Sequence, residues 1–236
     1  MNILSYFLPQ APLSPGIRDP VEVVAGSLRP SERPGFRWMC GYAKAKVQAD
    51  PLYRMALERI PPAAKVLDLG CGVGLVGLLL QARGWNNECF GIEWDPAKAR
   101  FAKELAQGAP GIQVTCGDLL QESWPACSVI AALDVIHYLT QGQQHELIQK
   151  FGTHLPEGGR VILRVMNKKA SGVARITRLS ERLAIWIGWN RAERACWQPL
   201  DGICSDLMAA GFSVMSPIRP LGLALGNHLL VGVKRS

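Results

Sequence analysis

Residues 65–77 read KVLDLGCGVGLVG, an apolar run, a set of closely spaced glycines and a second apolar run. Val66, Leu67 and Leu69 are typical of a short buried strand, and residues 75–80 have the composition of the first turns of a helix. Glycines between a strand and a helix let the backbone approach a ligand closely at the helix N-terminus. The stretch therefore predicts a strand–turn–helix unit with a ligand site at the turn.

Asp68 lies inside the apolar run, where a carboxylate without a partner is costly to bury. An acid placed just before the glycine turn favours a ligand that carries positive charge or several hydrogen-bond donors. A phosphate alone would not account for it.

A dinucleotide site is an alternative, because residues 72–77 (GVGLVG) also match the GxGxxG pattern and Glu93 follows. In that fingerprint the first glycine directly follows the strand. Here the frame would start two residues late and leave Gly70, Cys71 and Asp68 without a role. A glycine-rich connector without a ligand explains neither the acid nor the residues that follow.

Strand-like and helix-like stretches alternate from residue 65 onward, which predicts an α/β fold with a mostly parallel sheet and helices on both faces. Residues 37–60 predict a helical segment broken near Asp50-Pro51, whereas the chain up to about Pro34 is rich in proline and has a loop-like pattern. The predicted further strands are 89–93, 112–116, 128–134, 160–166, 212–215 and 228–234, and the predicted helices include 96–107, 143–151 and 201–210.

Residues 68–74, DLGCGVG, resemble the first motif of the class I S-adenosylmethionine-dependent methyltransferases. The resemblance extends from about residue 61 to the C-terminus. It implies a Rossmann-like, seven-stranded sheet whose final strand enters antiparallel between its neighbours. It also implies S-adenosyl-L-methionine as the cofactor.

The same resemblance assigns cofactor-binding roles along the chain. The turn would hold the methionyl half of the cofactor, Glu93 would accept both ribose hydroxyls, and Asp118 in the run Gly117-Asp118-Leu119 would receive the adenine amino group. Trp94 would line the adenine pocket, with core packing as the alternative. The predicted cofactor-binding residues are Asp68, Gly70, Cys71, Gly72, Gly74, Glu93, Trp94, Asp118, Leu119 and Asp134.

Asp134 and the residues after it, Val135-Ile136-His137-Tyr138, would face the transferred methyl group. Aligning the acceptor with the methyl group is the main task of such an enzyme. A hydroxyl acceptor also needs a base, and a histidine that titrates near neutral pH suits that role. His137 is the predicted base, with a packed histidine as the alternative, and Tyr138 would wall the pocket or pack in the core.

The charge and the cysteine content of the chain narrow the range of possible binding partners and cellular compartments. The net charge is +7, and the excess of basic residues lies in the two flanks of a mildly acidic centre. Basic flanks suit an acidic carrier protein, an anionic membrane surface or nucleic acid, or only a solvated surface. Nucleic acid is disfavoured as substrate, because no base-methylation motif follows the fourth strand. The seven cysteines lack metal-ligand spacing, and with no signal-peptide pattern they predict free thiols in the cytoplasm and no metal site.

The predicted organisation is an N-terminal extension over 1–60, partly helical and capping the core, and a methyltransferase domain over 61–236. A basic and aromatic insertion lies at about 168–199, and its residues 173–197 would lid a pocket, contact a membrane, dock an acidic partner or simply cover the core. We expect O- or C-methylation of a small, apolar, aromatic or acyl acceptor in small-molecule biosynthesis. The alternatives are an RNA or protein methyltransferase of the same fold and a non-catalytic cofactor-binding subunit.

Overall fold

The computed structural model describes residues 19–28, 34–84, 88–166, 196–218 and 227–236. Its centre is a sheet in the order β3-β2-β1-β4-β5-β7-β6, in which β7 pairs antiparallel with both neighbours and the strand pairs from β3 through β5 are parallel. The strands are β1 (Val66–Leu69), β2 (Cys89–Glu93), β3 (Ile112–Cys116), β4 (Val129–Ala132), β5 (Arg160–Met166), β6 (Phe212–Val214) and β7 (Asn227–Lys234). The predicted α/β fold and the antiparallel final strand are confirmed.

Alternate residues of the central strands face opposite sides of the sheet, as the two-residue period of a strand requires. Val66, Ala131 and Ile162 pack into one apolar cluster, whereas Leu67 and Ile130 pack into the other. The described helices are α1 (Pro20–Ser27), α2 (Pro34–Ala49), α3 (Pro51–Leu57), α4 (Leu75–Ala82), α5 (Pro96–Leu105), α6 (Gln141–His154) and α7 (Leu200–Ala209). Residues of α1–α5 contribute to the first cluster, and residues of α6 and α7 contribute to the second.

Helix α1 corrects the prediction of a loop-like chain up to Pro34. Asp19 caps this helix by accepting a hydrogen bond from Val21 N at 3.0 Å, and Pro20 occupies the first turn. Proline at this position is favourable, because its missing N–H has no intrahelical partner in any case. A high proline content therefore gave a wrong prediction here, where one of the prolines begins a helix.

The predicted break near Asp50-Pro51 is confirmed by the boundary between α2 and α3. Asp50 accepts a hydrogen bond from Leu52 N at 3.1 Å and so caps α3. The described part of the predicted N-terminal extension packs into the same apolar cluster as β1 and α4. The division of the chain at residue 60 stays a prediction, as do the bounds of the insertion, because residues 167–195 lie outside the described ranges.

Candidate functional site

Strand β1 lies between β2 and β4, so the chain runs outward from it in both directions. Ligands of open α/β sheets bind in the crevice at this switch point, outside the carboxyl ends of the strands. The end of β1 carries the glycine turn, and Asp134 follows β4 by two residues. The topology thus brings most of the predicted site residues to one edge of the sheet.

The glycine turn is tied to β2 by its backbone. The N–H groups of Gly70 and Cys71 both donate to Ile92 O, at 2.8 and 3.1 Å. Gly70 has φ +67° and lies so close to Val135 that an added Cβ would stand 2.6 Å from that side chain. Gly72 has φ +58°, and an added Cβ there would meet no atom within 4 Å. Gly70 is therefore required for packing, whereas Gly72 borders open space that a ligand can occupy.

Glu93 ends β2 and lies directly against this turn. It is only 6% exposed. Its Oε2 accepts a hydrogen bond from Gly72 N at 2.8 Å, and its Oε1 accepts one from Asp95 N at 2.9 Å. The carboxylate is thus held inside the crevice, at the place where the sequence analysis expects the ribose hydroxyls.

We expect Glu93→Ala to weaken cofactor binding by roughly tenfold to a few hundredfold, because each charge-assisted hydrogen bond contributes about 1.5–3 kcal/mol. Glu93→Gln keeps an acceptor for Gly72 N and should lose less. Isothermal titration calorimetry with S-adenosyl-L-methionine measures both. Glu88→Ala is the matched control, since Glu88 lies at the amino end of the same strand and pairs with Lys65 in solvent. Affinity unchanged in Glu93→Ala would rule out the assignment.

Asp68 is 3% exposed and lies at the base of the turn. Burial and the neighbouring Glu93 together raise the pKa of its carboxyl to about 8, against an opposing effect of Lys46. A buried acid with a raised pKa is typical of a functional site. A cationic ligand group would restore the charged form.

The side chain of Cys71 packs against β2, since its Sγ lies 2.6 Å from where an added Cβ of Gly91 would stand. Cys71 therefore contributes to the turn through its backbone. Its thiol is buried, and burial, Asp68 and Glu93 raise its pKa well above the ordinary value. All seven cysteines belong to the described ranges, and none of them forms a disulfide there.

Two exposed side chains flank the outer end of the crevice, where Glu93 of β2 pairs in register with Cys116 of β3. Trp94 is 53% exposed, so the core-packing alternative for this residue is wrong. Asp118 is exposed and accepts a hydrogen bond from Leu120 N at 2.9 Å, whereas Leu119 is buried. Gly117 N donates to Glu93 O at 3.0 Å, which places the start of this loop beside the ribose candidate.

A cluster of charged residues that the sequence analysis missed surrounds Asp134. Lys46 Nζ of α2 donates to Asp134 Oδ2 at 2.6 Å, and Arg164 Nη1 of β5 donates to the same oxygen at 3.1 Å. Arg164 also pairs with Asp50. Although burial acts to raise it, Lys46 and Arg164 hold the pKa of Asp134 well below its usual range.

The only sequence signal for this cluster is Arg164 within the apolar strand VILRVM, since Lys46 sits in an ordinary amphipathic helix. Asp134 itself has φ +68°, a left-handed backbone that aspartate tolerates better than most residues. That conformation also ends β4 at Ala132, whereas the predicted strand extended to residue 134.

His137 lies in a 3₁₀ turn, Ile136–Tyr138, and is 6% exposed. Its ring stacks on Trp197 with centroids 4.3 Å apart and lies 4.1 Å from the ring of Tyr138. Burial lowers the pKa of His137 to about 4, and Asp134 opposes this shift. Desolvation of the ring thus moves the pKa of His137 away from the near-neutral range that suits a base, and the role of His137 stays a prediction.

The segment after the undescribed residues 167–195 is anchored above this turn. Cys196 N donates to His137 O at 2.7 Å, and Gln144 Nε2 of α6 donates to Cys196 O at 2.8 Å. Trp197 is thereby placed beside His137 and Tyr138, and both Trp197 and Tyr138 are half-buried. The rest of the basic and aromatic segment predicted over 173–197 lies outside the described residues.

Fold and site together define a Rossmann-like α/β protein with a ligand crevice lined by an acid-flanked glycine turn. Over residues 42–216 the chain matches the family described as "Methyltransferase domain". It belongs to this family, as an S-adenosylmethionine-dependent class I methyltransferase, and S-adenosyl-L-methionine is its cofactor. The family match sets aside the dinucleotide alternative. No curated protein matches the chain.

Solved structures show the same fold at low sequence identity. An O-methyltransferase family protein from Burkholderia thailandensis aligns with TM-score 0.65 and 16% identity, over 91% of this chain and 67% of that one. An O-methyltransferase family 2 protein from Planctomyces limnophilus, in complex with apigenin, aligns with TM-score 0.64 and 18% identity, over 90% and 65%. Magnesium protoporphyrin IX methyltransferase from Synechocystis with bound SAH aligns with TM-score 0.59 and 19% identity, over 92% and 93%. The chain thus spans about two thirds of the first two relatives.

Proposed function

We propose that this methyltransferase acts in the cytoplasm, in small-molecule biosynthesis, on a small, apolar, aromatic or acyl acceptor that is methylated at oxygen or carbon. The observation that carries the proposal is the group of rings after β4. Tyr138 and Trp197 are half-buried, flank His137 and adjoin the charged cluster at Asp134. Half-buried rings beside a polar group suit a flat apolar ligand with one polar end.

The cofactor side of the crevice fits S-adenosyl-L-methionine. The open space over Gly72 admits the ligand, and the buried carboxylates of Asp68 and Glu93 supply acceptors for its amino group and ribose hydroxyls. We assign Trp94, Asp118 and Leu119 to the adenine, and Gly70, Cys71 and Gly74 to the shape of the turn. Bound in this way, the cofactor supplies an electrophilic methyl group on a sulfonium, and the chain's own task is alignment.

On the acceptor side of the crevice, the low pKa of His137 argues against this residue as a strong base. A phenol has a pKa of about 10, and the pKa of His137 is about 4, so moving the proton to this imidazole would cost about 8 kcal/mol. Asp134 is a weaker base still. We infer that His137 and Tyr138 shape the pocket and that the acceptor owes its nucleophilicity to its own ionisation.

We expect His137→Gln to retain kcat within about tenfold, because removal of a true general base costs about 10²- to 10⁴-fold. The pH–rate profile of the native enzyme should show no limb near pH 6.5 and should instead follow the acceptor's pKa. His145→Gln is the matched control, since His145 is exposed and pairs with Asp206 on α7. A thousandfold loss in His137→Gln alone would restore histidine as the base.

Transfer of a labelled methyl group to a panel of acceptors tests the proposal. The panel contains phenols, acyl thioesters with and without an acidic carrier protein, bulk RNA and a protein extract. We expect phenols or acyl thioesters to receive the most label. If the basic flanks dock the carrier protein, carrier-bound thioesters should be labelled more than free ones. Stronger labelling of RNA or protein would favour the alternative substrate class. Cofactor binding without any turnover would favour a non-catalytic subunit.

A further inference from the structure

The loop that follows β3 is held from behind by one lysine of α6. Lys150 Nζ donates to Leu120 O at 3.0 Å, to Glu122 O at 3.2 Å and to Leu119 O at 3.4 Å. An ammonium group has three donors, and here all three have backbone carbonyls of one short loop. Residues 118–122 are therefore gathered around a single side chain.

Trp124 completes this support. Its Nε1 donates to Leu119 O at 2.9 Å, and its ring lies 4.2 Å from Lys150 Nζ, within the range of a cation–π interaction. The ring also meets His154 edge to face at 5.3 Å, one helical turn after Lys150. We call Lys150 and Trp124 the loop clamp.

The clamp draws the loop carbonyls toward α6, while Asp118 stays exposed at the crevice. Asp118 is further fixed by its own backbone, because Gln121 N and Glu122 N donate to Asp118 O at 3.0 and 2.8 Å. Burial lowers the pKa of Lys150, and Glu146 and, to a smaller extent, Asp118 oppose this shift. The backbone of residues 118–122 is thus fixed from the α6 side, and the side chain of Asp118 stays exposed.

We propose that Lys150 and Trp124 are positioning residues for nucleobase recognition: by holding the carbonyls of residues 119–122, they place Asp118 to accept a hydrogen bond from the adenine amino group. The inference rests on the proposed cofactor site and assigns two residues outside it. Misplacing Asp118 by about 1 Å would weaken this hydrogen bond, because donor–acceptor distances beyond about 3.2 Å are unfavourable.

The test compares S-adenosylhomocysteine with S-inosylhomocysteine, which has an oxo group in place of the amino group. Calorimetry gives the dissociation constant of each for the full chain. We expect the native protein to prefer the adenosyl compound by about tenfold or more, the effect of one hydrogen bond to a charged group. Lys150→Met and Trp124→Phe should reduce that preference to about twofold, mainly through weaker adenosyl binding. Trp124→Phe keeps the ring and so guards against a folding defect in the lysine variant.

Lys234→Met is the matched control. Lys234 also donates to a carbonyl, Ala210 O at 3.0 Å, and lies over an aromatic ring, that of Phe212 at 5.6 Å. It belongs to β7, and among the described residues it makes no hydrogen bond to a loop of the site. It should lower the midpoint of thermal unfolding without changing the preference. A preference unchanged in both clamp variants, or lowered equally in Lys234→Met, overturns the inference.

Failure of the clamp and failure of the cofactor site give different binding results. Equal binding of both compounds by the native protein overturns the role of Asp118 and of the clamp, while cofactor binding itself stands. Binding of neither compound overturns the proposed cofactor site as well.

Discussion

Asp68→Asn is expected to raise the free energy of unfolding at pH 7 by up to about 4 kcal/mol and to weaken cofactor binding at the same time. The pKa of Asp68 rises from its ordinary value of 3.8 to about 8 in the folded chain. Between these values the folded state binds more protons than the unfolded state, so stability falls as pH rises. Each pKa unit corresponds to about 1.4 kcal/mol. The interval from about pH 4 to pH 7 therefore sets the size of the stabilisation expected in Asp68→Asn at pH 7.

Urea unfolding at pH 4, 7 and 8 measures this effect. The native chain and Asp68→Asn should have similar stability at pH 4 and diverge as pH rises. Cofactor affinity should fall in the variant by about tenfold or more, because asparagine cannot pair with a cationic amino group. A pH-independent difference in stability, or full affinity in the variant, would contradict the assignment. The opposite signs of the two effects separate a functional acid from a structural one.

Asp134→Asn should lower the free energy of unfolding by about 1–3 kcal/mol, because the side chains of Asp134 and Lys46 are partly buried and their ion pair lies between an exposed and a fully buried one. The substitution keeps a residue that tolerates the left-handed backbone at φ +68°. What it removes is the carboxylate that pairs with Lys46 and Arg164. In this variant Arg164 still pairs with Asp50, whereas Lys46 loses its carboxylate partner.

A double-mutant cycle with Lys46→Met isolates this interaction. The double variant should be more stable than Asp134→Asn alone, since neither partly buried charge then remains without its partner. Glu88→Gln is the control, because the exposed Lys65–Glu88 pair is expected to contribute less than about 1 kcal/mol. An Asp134→Asn variant within about 0.5 kcal/mol of the native chain would show that the cluster is solvated in solution.

Local sequence signals were sufficient wherever one element carries its own pattern. The strand–glycine–helix unit at 65–77 placed the ligand turn, and the bounds of β2, β3 and β5 are those predicted. The proline content up to about Pro34 predicts a loop and so misses helix α1, although Asp19-Pro20 is a favourable helix start. The antiparallel β7 came from family resemblance, since spacing does not encode strand direction.

The chemistry of the site depended on tertiary structure. Lys46 and Asp134 are 88 positions apart, and no period or motif links them. The pKa of His137 is set by rings and charges brought from β4, β5, α2 and the segment at Trp197.

The sequence by itself determined the bounds of β2, β3 and β5 and where a turn opens to a ligand, because these depend on the period of side chains and the freedom of glycine. Only the tertiary structure decided which charges meet and how far each is removed from water. Those two quantities set the ionisation of Asp68, Asp134 and His137, since desolvation and Coulombic pairing act through space and not along the chain.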